Sequence, residues 1–169
     1  TLVLRPRAVF GEGDRAIFPR LLAVARRGWF PRVHGGRAVI DITHIDNLID
    51  LIANCVDADL PGDGRAYNVS NGEPIRVRDL LDRLFAELGH EVRLHSVPRV
   101  PALVVASLSE RIAMLRHGQP EPRLTRYGIG VIGYSQTLDI TSARRELDYR
   151  PRMSIDAGLA RFARWWEAH

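Results

Sequence analysis

Leu2-Val3-Leu4 runs without a break into Arg5-Pro6, and a few residues later the chain reads Gly11-Glu12-Gly13-Asp14. An apolar run that stops at a proline reads as a buried strand. Gly-x-Gly-Asp reads as a turn in which either glycine can take positive φ. A strand that empties into a polar, glycine-bearing loop is how open α/β sheets present ligand sites, at the carboxyl ends of their strands. The sequence opens inside that strand, with no methionine and no first βαβ unit before it. The expectation is therefore the later part of a larger protein.

The rest alternates short strands with amphipathic helices. Asp14 is placed to cap a helix carrying Ile17, Phe18, Leu21, Leu22 and Ala25, stopped by Gly28. Trp29 to Arg37, with Pro31 and Gly35-Gly36, reads as loop, and Ala38 to Ile42 as a short strand. Thr43-His44-Ile45-Asp46 resembles a capping box opening a helix whose apolar face is Ile45, Leu48, Ile49, Ile52 and Val56. A turn at Pro61-Gly62-Asp63-Gly64 precedes a strand from Ala66 to Val69. Val77, Leu80, Leu81, Leu84, Phe85 and Leu88 form the cleanest helical stripe, ended by Gly89. Val92 to Val97 is strand-like, Pro98 and Pro101 frame an apolar helix reaching Leu115, and Gly118 to Pro122 is a break. Leu138-Asp139-Ile140 reads as a strand, and Thr141 to Leu147 as a short helix capped by Asp139 or Thr141. Ser154 caps a last helix with Ile155, Leu159, Phe162 and Trp166 on one face. Such alternation argues for an α/β or α+β domain, and 169 residues suit one domain.

Composition narrows the chemistry. All 24 lysine-plus-arginine positions are arginine, so Schiff-base catalysis through lysine and a lysine-bearing P-loop are both excluded. The pI near 10 reflects arginine's high pKa, because the net charge is only +4. The arginines are spread along the chain, with Arg26-Arg27 and Arg144-Arg145 the adjacent pairs, so no nucleic-acid partner is expected. A single cysteine, Cys55, rules out an intrachain disulfide and is expected as a small buried thiol in a reducing, cytoplasmic setting. No apolar run reaches the ~18 residues of a membrane span. His90 and His95 lie close together without a cysteine pair, so no metal site is expected.

Gly128-Ile129-Gly130-Val131-Ile132-Gly133 matches the dinucleotide fingerprint G-x-G-x-x-G by letter. That pattern carries meaning only between a strand and a helix start, where the helix N-terminus holds a pyrophosphate. Here Pro120 to Tyr127 precedes it and the strand-like Tyr134 to Asp139 follows. It is read as an irregular apolar hairpin or loop, not as a cofactor site.

Four blocks in order resemble the extended short-chain dehydrogenase/reductase proteins, the NAD-dependent epimerase/dehydratase superfamily. They are Leu4-Arg5-Pro6-x-x-Val9-Phe10-Gly11-x-Gly13-Asp14, Ile40-Asp41-Ile42-Thr43-His44-Ile45-Asp46-Asn47 and Ala66 to Pro74. The fourth is Asp139 to Leu147, continued by Tyr149-Arg150-Pro151 and Gly158-Leu159. Leu124-Thr125-Arg126-Tyr127 and the apolar helix after Pro101 look most like the 3β-hydroxysteroid dehydrogenase and sterol-4-carboxylate dehydrogenase branch. The Arg-x-Gly-Asp block that nucleotide-sugar epimerases carry before the last signature is absent. Asn47 replaces the second acid of the family's Asp-Asp pair, Ser142 stands where lysine is common, and Asp148 where glycine is common.

The resemblance implies an α/β fold, the C-terminal portion of an extended Rossmann-type fold: its last sheet strands plus a smaller mixed α/β substrate-binding subdomain. On this reading residues 1–14 belong to the Rossmann sheet and 15–65 form a helix/strand/helix segment of the substrate subdomain. Residues 66–89 are the last sheet strand and helix, and 90–169 the C-terminal substrate-binding subdomain. The resemblance further implies NAD or NADP, with Arg5, Pro6, Arg7 and Val9 towards the cofactor. Phe10, Gly11, Asp14, His44 and Asn47 would lie towards the substrate, while Gly11, Gly13 and Asp14 also fit turn and cap roles. Tyr67 and Asn68 are expected to support the sheet, and Trp165-Trp166 to be part core, part surface. The implied activity is oxidation or reduction of a hydroxyl or ketone on an apolar, steroid-like substrate. A nucleotide-sugar epimerase or dehydratase and a non-catalytic binding fragment are the alternatives. The family's Tyr-x3-Lys cannot occur here, so the missing N-terminal Rossmann half is an expected partner, the chain alone should be inactive, and self-association is expected.

Overall fold

Strand pairing in this computed structural model is mostly parallel, which forces the chain to cross over through helices between partners. The residues described are 1–26, 28–57, 63–115 and 125–169. In chain order the elements are β1 Val3–Pro6, β2 Val9–Phe10, α1 Phe18–Ala25, β3 Trp29–Val33, a 3-10 turn His34–Gly36, β4 Val39–Ile40 and β5 Thr43–His44. Then come α2 Ile45–Asp57, β6 Ala66–Val69, β7 Ile75–Arg76, α3 Val77–Glu87, β8 Arg93–Val97, α4 Arg99–Leu115, α5 Arg126–Gly133, α6 Thr141–Glu146 and α7 Ile155–Ala168. β1 pairs parallel with β6, β2 with β5 and β3 with β8, while β4 and β7 are antiparallel. Leu4 lies opposite Tyr67, and Phe10 opposite His44.

The main core gathers Phe10, Phe18 and Leu22 with Leu81, Leu84 and Phe85 of α3 and Ile155, Leu159 and Phe162 of α7. Each such side chain contributes about 1.5–3 kcal/mol on burial. Trp165 and Trp166 pack half-buried against that core. A second cluster joins Leu51, Tyr67, Val69, Ile140, Ala143, Leu147 and Tyr149; a third, Val33, Ala102, Ala106 and Ile129, lies under α4 and α5. Local chemistry sets the ends. The Asp14 carboxylate accepts the N–H groups of Ala16, Ile17 and Phe18, and Ser154 Oγ accepts that of Ala157. At α6 the cap is Asp139, whose Oδ1 accepts the Thr141 N–H. Asp148 takes the left-handed φ of +47° that suits the glycine common there in the family.

Several expectations are corrected. Trp29 to Val33 is a strand despite Pro31, because β8 is its only neighbour among the described residues and the side lacking a proline N–H needs no partner. Gly128 to Gly133 is neither hairpin nor loop but the body of α5, capped by Thr125 Oγ1 accepting the Gly128 N–H and packed on α4. Leu138 to Ile140 is not a strand; Gln136 makes one bridge to Ile40 instead. Thr43 is not the α2 cap: His44 Nδ1 accepts the Asp46 N–H, and Thr43 is drawn into the sheet. Of the expected inner face of α2, Ile49, Ile52 and Val56 are exposed while Leu51 is buried. Cys55 is half-buried, and burial pushes its thiol pKa up. The Arg26-Arg27 pair, the Pro61-Gly64 turn, the Gly118-Pro122 break and Leu124 fall wholly or partly outside the described residues. Among the described residues no helix is long and apolar enough to cross a membrane.

Candidate functional site: the seam between β1 and β5

Beyond Pro6 the chain turns through Ala8, a non-glycine residue at φ +46°. Such a conformation costs roughly 1–2 kcal/mol and persists only when neighbours hold it. They do. The Arg7 N–H donates to the Val69 carbonyl at 3.2 Å, and the Thr43 N–H to the Ala8 carbonyl at 3.2 Å. The Thr43 hydroxyl donates to the Arg7 carbonyl at 2.7 Å, with the Val69 carbonyl at 3.1 Å as an alternative acceptor. One buried hydroxyl thus stitches the ends of β1 and β6 to β5.

Phe10 follows, buried, with its ring 5.4 Å from Phe18 and edge-on to His44 at 5.2 Å. His44 is fully buried. Its backbone N–H donates to Asn71 Oδ1 at 2.8 Å, and its Nδ1 accepts from the Asp46 N–H at 3.2 Å. The ring proton therefore sits on Nε2, which is buried and has no partner. Two glycines make room for the ring: a Cβ on Gly158 would lie 2.5 Å from His44 Cδ2, and one on Gly11 3.3 Å from Nε2. Burial lowers the His44 pKa, and Arg161 adds to that against the opposing pull of Asp46 and Glu12. With its one lone pair engaged, neutral His44 has no basic atom to offer a substrate.

Asn47 is equally committed. Its Nδ2 donates to Asn71 Oδ1 at 2.9 Å and to the Met153 carbonyl at 2.8 Å, while its Oδ1 accepts the N–H groups of Arg152 and Met153. Asn71 Nδ2 also donates to Met153. The Tyr149 hydroxyl donates to the Ser70 carbonyl at 2.9 Å, and burial holds its pKa up at about 12. At the rim Arg161 bridges Glu12 at 2.6 Å and Asp46 at 2.5 Å, and both carboxylates raise its pKa.

The structure brings Arg7, Val9, Phe10, Gly11, His44 and Asn47 to one seam, with Arg5 and Pro6 exposed on β1 leading into it. Arg7 Nε is buried without a partner. Asp14 closes the loop, its N–H donating to the Gly11 carbonyl at 3.1 Å and its carboxylate filling the start of α1. No pyrophosphate can take the α1 N-terminus while Asp14 holds it, and Gly128 to Gly133 lie inside a helix. Tyr67 and Asn68 support the sheet as expected, bonding to Glu146 and to the Asp139 carbonyl. Sequence reasoning missed Thr43 as a clamp, together with Ser70, Asn71, Tyr149 and Arg161. Polar residues clustered immediately after a strand were the available signal. Among the described residues no three His, Cys, Asp or Glu groups converge on a metal position.

A model of the 3-beta hydroxysteroid dehydrogenase/isomerase family matches residues 1–99. The chain is 35% identical to the Uncharacterized protein YbjS of Escherichia coli (strain K12) over 99% of its length and 50% of that protein's. It is 34% identical to 2-alkyl-3-oxoalkanoate reductase of Stenotrophomonas maltophilia (strain K279a), covering 95% of this chain and 50% of the other. The chain therefore spans about half the length of these curated relatives. Among solved structures, UDP-glucuronic acid 4-epimerase from Bacillus cereus in complex with NAD matches with a TM-score of 0.68 at 17% identity, over 99% of this chain and 44% of that one. The fold is thus α/β and corresponds to about half of a Rossmann-type epimerase.

Proposed function

The chain belongs to the 3-beta hydroxysteroid dehydrogenase/isomerase family, and from that premise we propose that it forms the substrate-facing wall of an NAD(P)-dependent oxidoreductase. The substrate class is an apolar molecule, steroid-like in size, bearing a hydroxyl or ketone. NAD(P) supplies hydride transfer when bound; this chain supplies shape. Arg5, Pro6, Arg7 and Val9 line the cofactor side, and Arg7 Nε, like His44 Nε2, is a buried polar group without a partner here. Phe10 and Gly11 lie towards the substrate through their backbone, the Phe10 ring being buried in the core. Asp14, His44 and Asn47 act behind them, with the Asp14 carboxylate, His44 Nδ1 and the Asn47 amide committed to backbone and neighbouring side chains that fix the wall. The observation that carries the reading is the Thr43 clamp, which holds the Arg7–Gly11 turn at the carboxyl end of parallel strands, where α/β sheets bind ligands.

A glycine-rich turn and a Tyr-x3-Lys from another half of the parent protein complete the proposal, the tyrosine acting as acid/base. The coding sequence upstream of Thr1 tests it. Both motifs are expected there; an intact short reading frame lacking them would sink the proposal. The 169-residue chain alone is expected to give no saturable signal in an NADH fluorescence titration, and tight binding would contradict the division of labour.

A further inference from the structure

The backbone assigned above to the substrate is closed in this structure. Phe10 and Gly11 are both buried, although the next two residues, Glu12 and Gly13, are exposed. From Gly11 the chain turns back on itself, the Asp14 N–H donating to the Gly11 carbonyl at 3.1 Å, so that acceptor is taken. Admitting a ligand here requires the turn to move, and its two ends are fixed. Gly11, at φ +147°, is packed tight: a Cβ there would lie 2.6 Å from Ile45 Cγ2. Asp14 is anchored by its carboxylate at the start of α1. Between them Gly13, at φ +79°, has nothing within 4 Å of its Cβ position. The part with room to swing is therefore the tip, Glu12-Gly13.

Arg161 grips that tip. It lies on α7 one turn beyond Gly158, the glycine that gives the His44 ring its space, and so on the same side of the helix. Its Nη2 donates to Glu12 Oε2 at 2.6 Å and its Nη1 to Asp46 Oδ2 at 2.5 Å. Asp46 belongs to the first turn of α2, so one guanidinium ties the tip to α2 and α7 together. The grip is of a kind that opens. The side chains are 32% exposed at Arg161, 44% at Glu12 and 38% at Asp46, and ion pairs so placed are weak and screened by salt. Without the cation, the two carboxylates it draws together repel, and the tip is pushed away as well as released.

We propose that Arg161 is a positioning residue: it latches the Glu12-Gly13 tip shut, and release of the latch frees the Gly11 carbonyl to accept a hydrogen bond from the substrate hydroxyl. The kinetic part rests on the redox reading given above; the latch itself does not. The latch is tested on the 169-residue chain with a glutamyl endopeptidase, following cleavage at Glu12-Gly13 by mass spectrometry, since such cleavage tracks the open population. Arg161→Gln is expected to speed it about two- to fivefold, the range that loss of exposed ion pairs allows. Arg161→Lys, with a point charge in place of the fork, should fall between Gln and the parent. Arg83→Gln, which breaks the exposed pair with Asp156 on the same α7, should leave it unchanged. In the parent enzyme Arg161→Gln is expected to lower KM by a similar factor with kcat unchanged, because a larger share of molecules is open to substrate. Damage to the wall would raise KM instead, and that result overturns the gating role. Equal cleavage of Arg161→Gln and the parent overturns the latch, as does equal acceleration by Arg83→Gln. A parent without dehydrogenase activity would sink the redox reading while the cleavage rates still decide the latch.

Discussion

His44 shows how a single side chain can make the wall sensitive to acid. Its folded pKa is lowered from 6.5 by burial, so below pH 6.5 the unfolded chain takes up a proton that the folded one resists. The contribution of this group to stability is therefore complete above pH 6.5 and declines as the pH falls from there towards the folded pKa. His44→Asn keeps an acceptor near the position of Nδ1 but cannot titrate. Urea midpoints measured across that range are expected to fall less steeply for His44→Asn than for the parent; parallel acid limbs would show that other groups govern them. Neighbouring Asn47 marks the limit of what sequence could reveal. Its replacement of the family's acid is visible in the sequence. Its engagement with Arg152 and Met153, 105 and 106 positions away, is not, since no local pattern encodes a partner at that separation.

At the scale of elements, helices with a clean apolar stripe were legible: α3 and α7 lie where Val77 to Leu88 and Ile155 to Trp166 place them. Helix α5 was hidden because Gly128, Gly130 and Gly133 lower its propensity, and packing of Ile129 against α4 outweighs that deficit. The α2 face was misjudged because Ile49, Ile52 and Leu51 are equally apolar, and only the position of β6 and α6 decides which is buried. Two helical glycines separate propensity from packing. Gly130→Ala meets nothing within 4 Å and is expected to stabilise by about 1 kcal/mol in thermal denaturation. Gly158→Ala gains the same propensity but drives a methyl to within 2.5 Å of His44 and 3.0 Å of Phe10. It is expected to destabilise by about 1–3 kcal/mol, the range of overpacked cores. Equal melting shifts in the two variants would refute the account of Gly158 as space for the imidazole.

At the scale of the whole molecule, Ile49, Ile52 and Val56 leave an apolar face on α2. We propose that this face seats the other half of the parent, and that the 169-residue chain by itself uses it to self-associate. Sedimentation should show a mass that rises with concentration and returns to monomer in Ile49→Asp/Ile52→Asp; a clean monomer at high concentration would rule the idea out. The polar stitching of the seam also has a consequence in time. Its threads run from Arg7 to Thr43, from Asn47 to Asn71, and from both asparagines to Met153. During synthesis α3 can form as soon as it leaves the ribosome, but the asparagine bonds of the wall cannot close until Met153 has emerged, 106 residues after Asn47. The Thr43 clamp on the Arg7–Gly11 turn can close while those asparagines still wait for their partner, so the wall nearest the proposed chemistry sets in two stages.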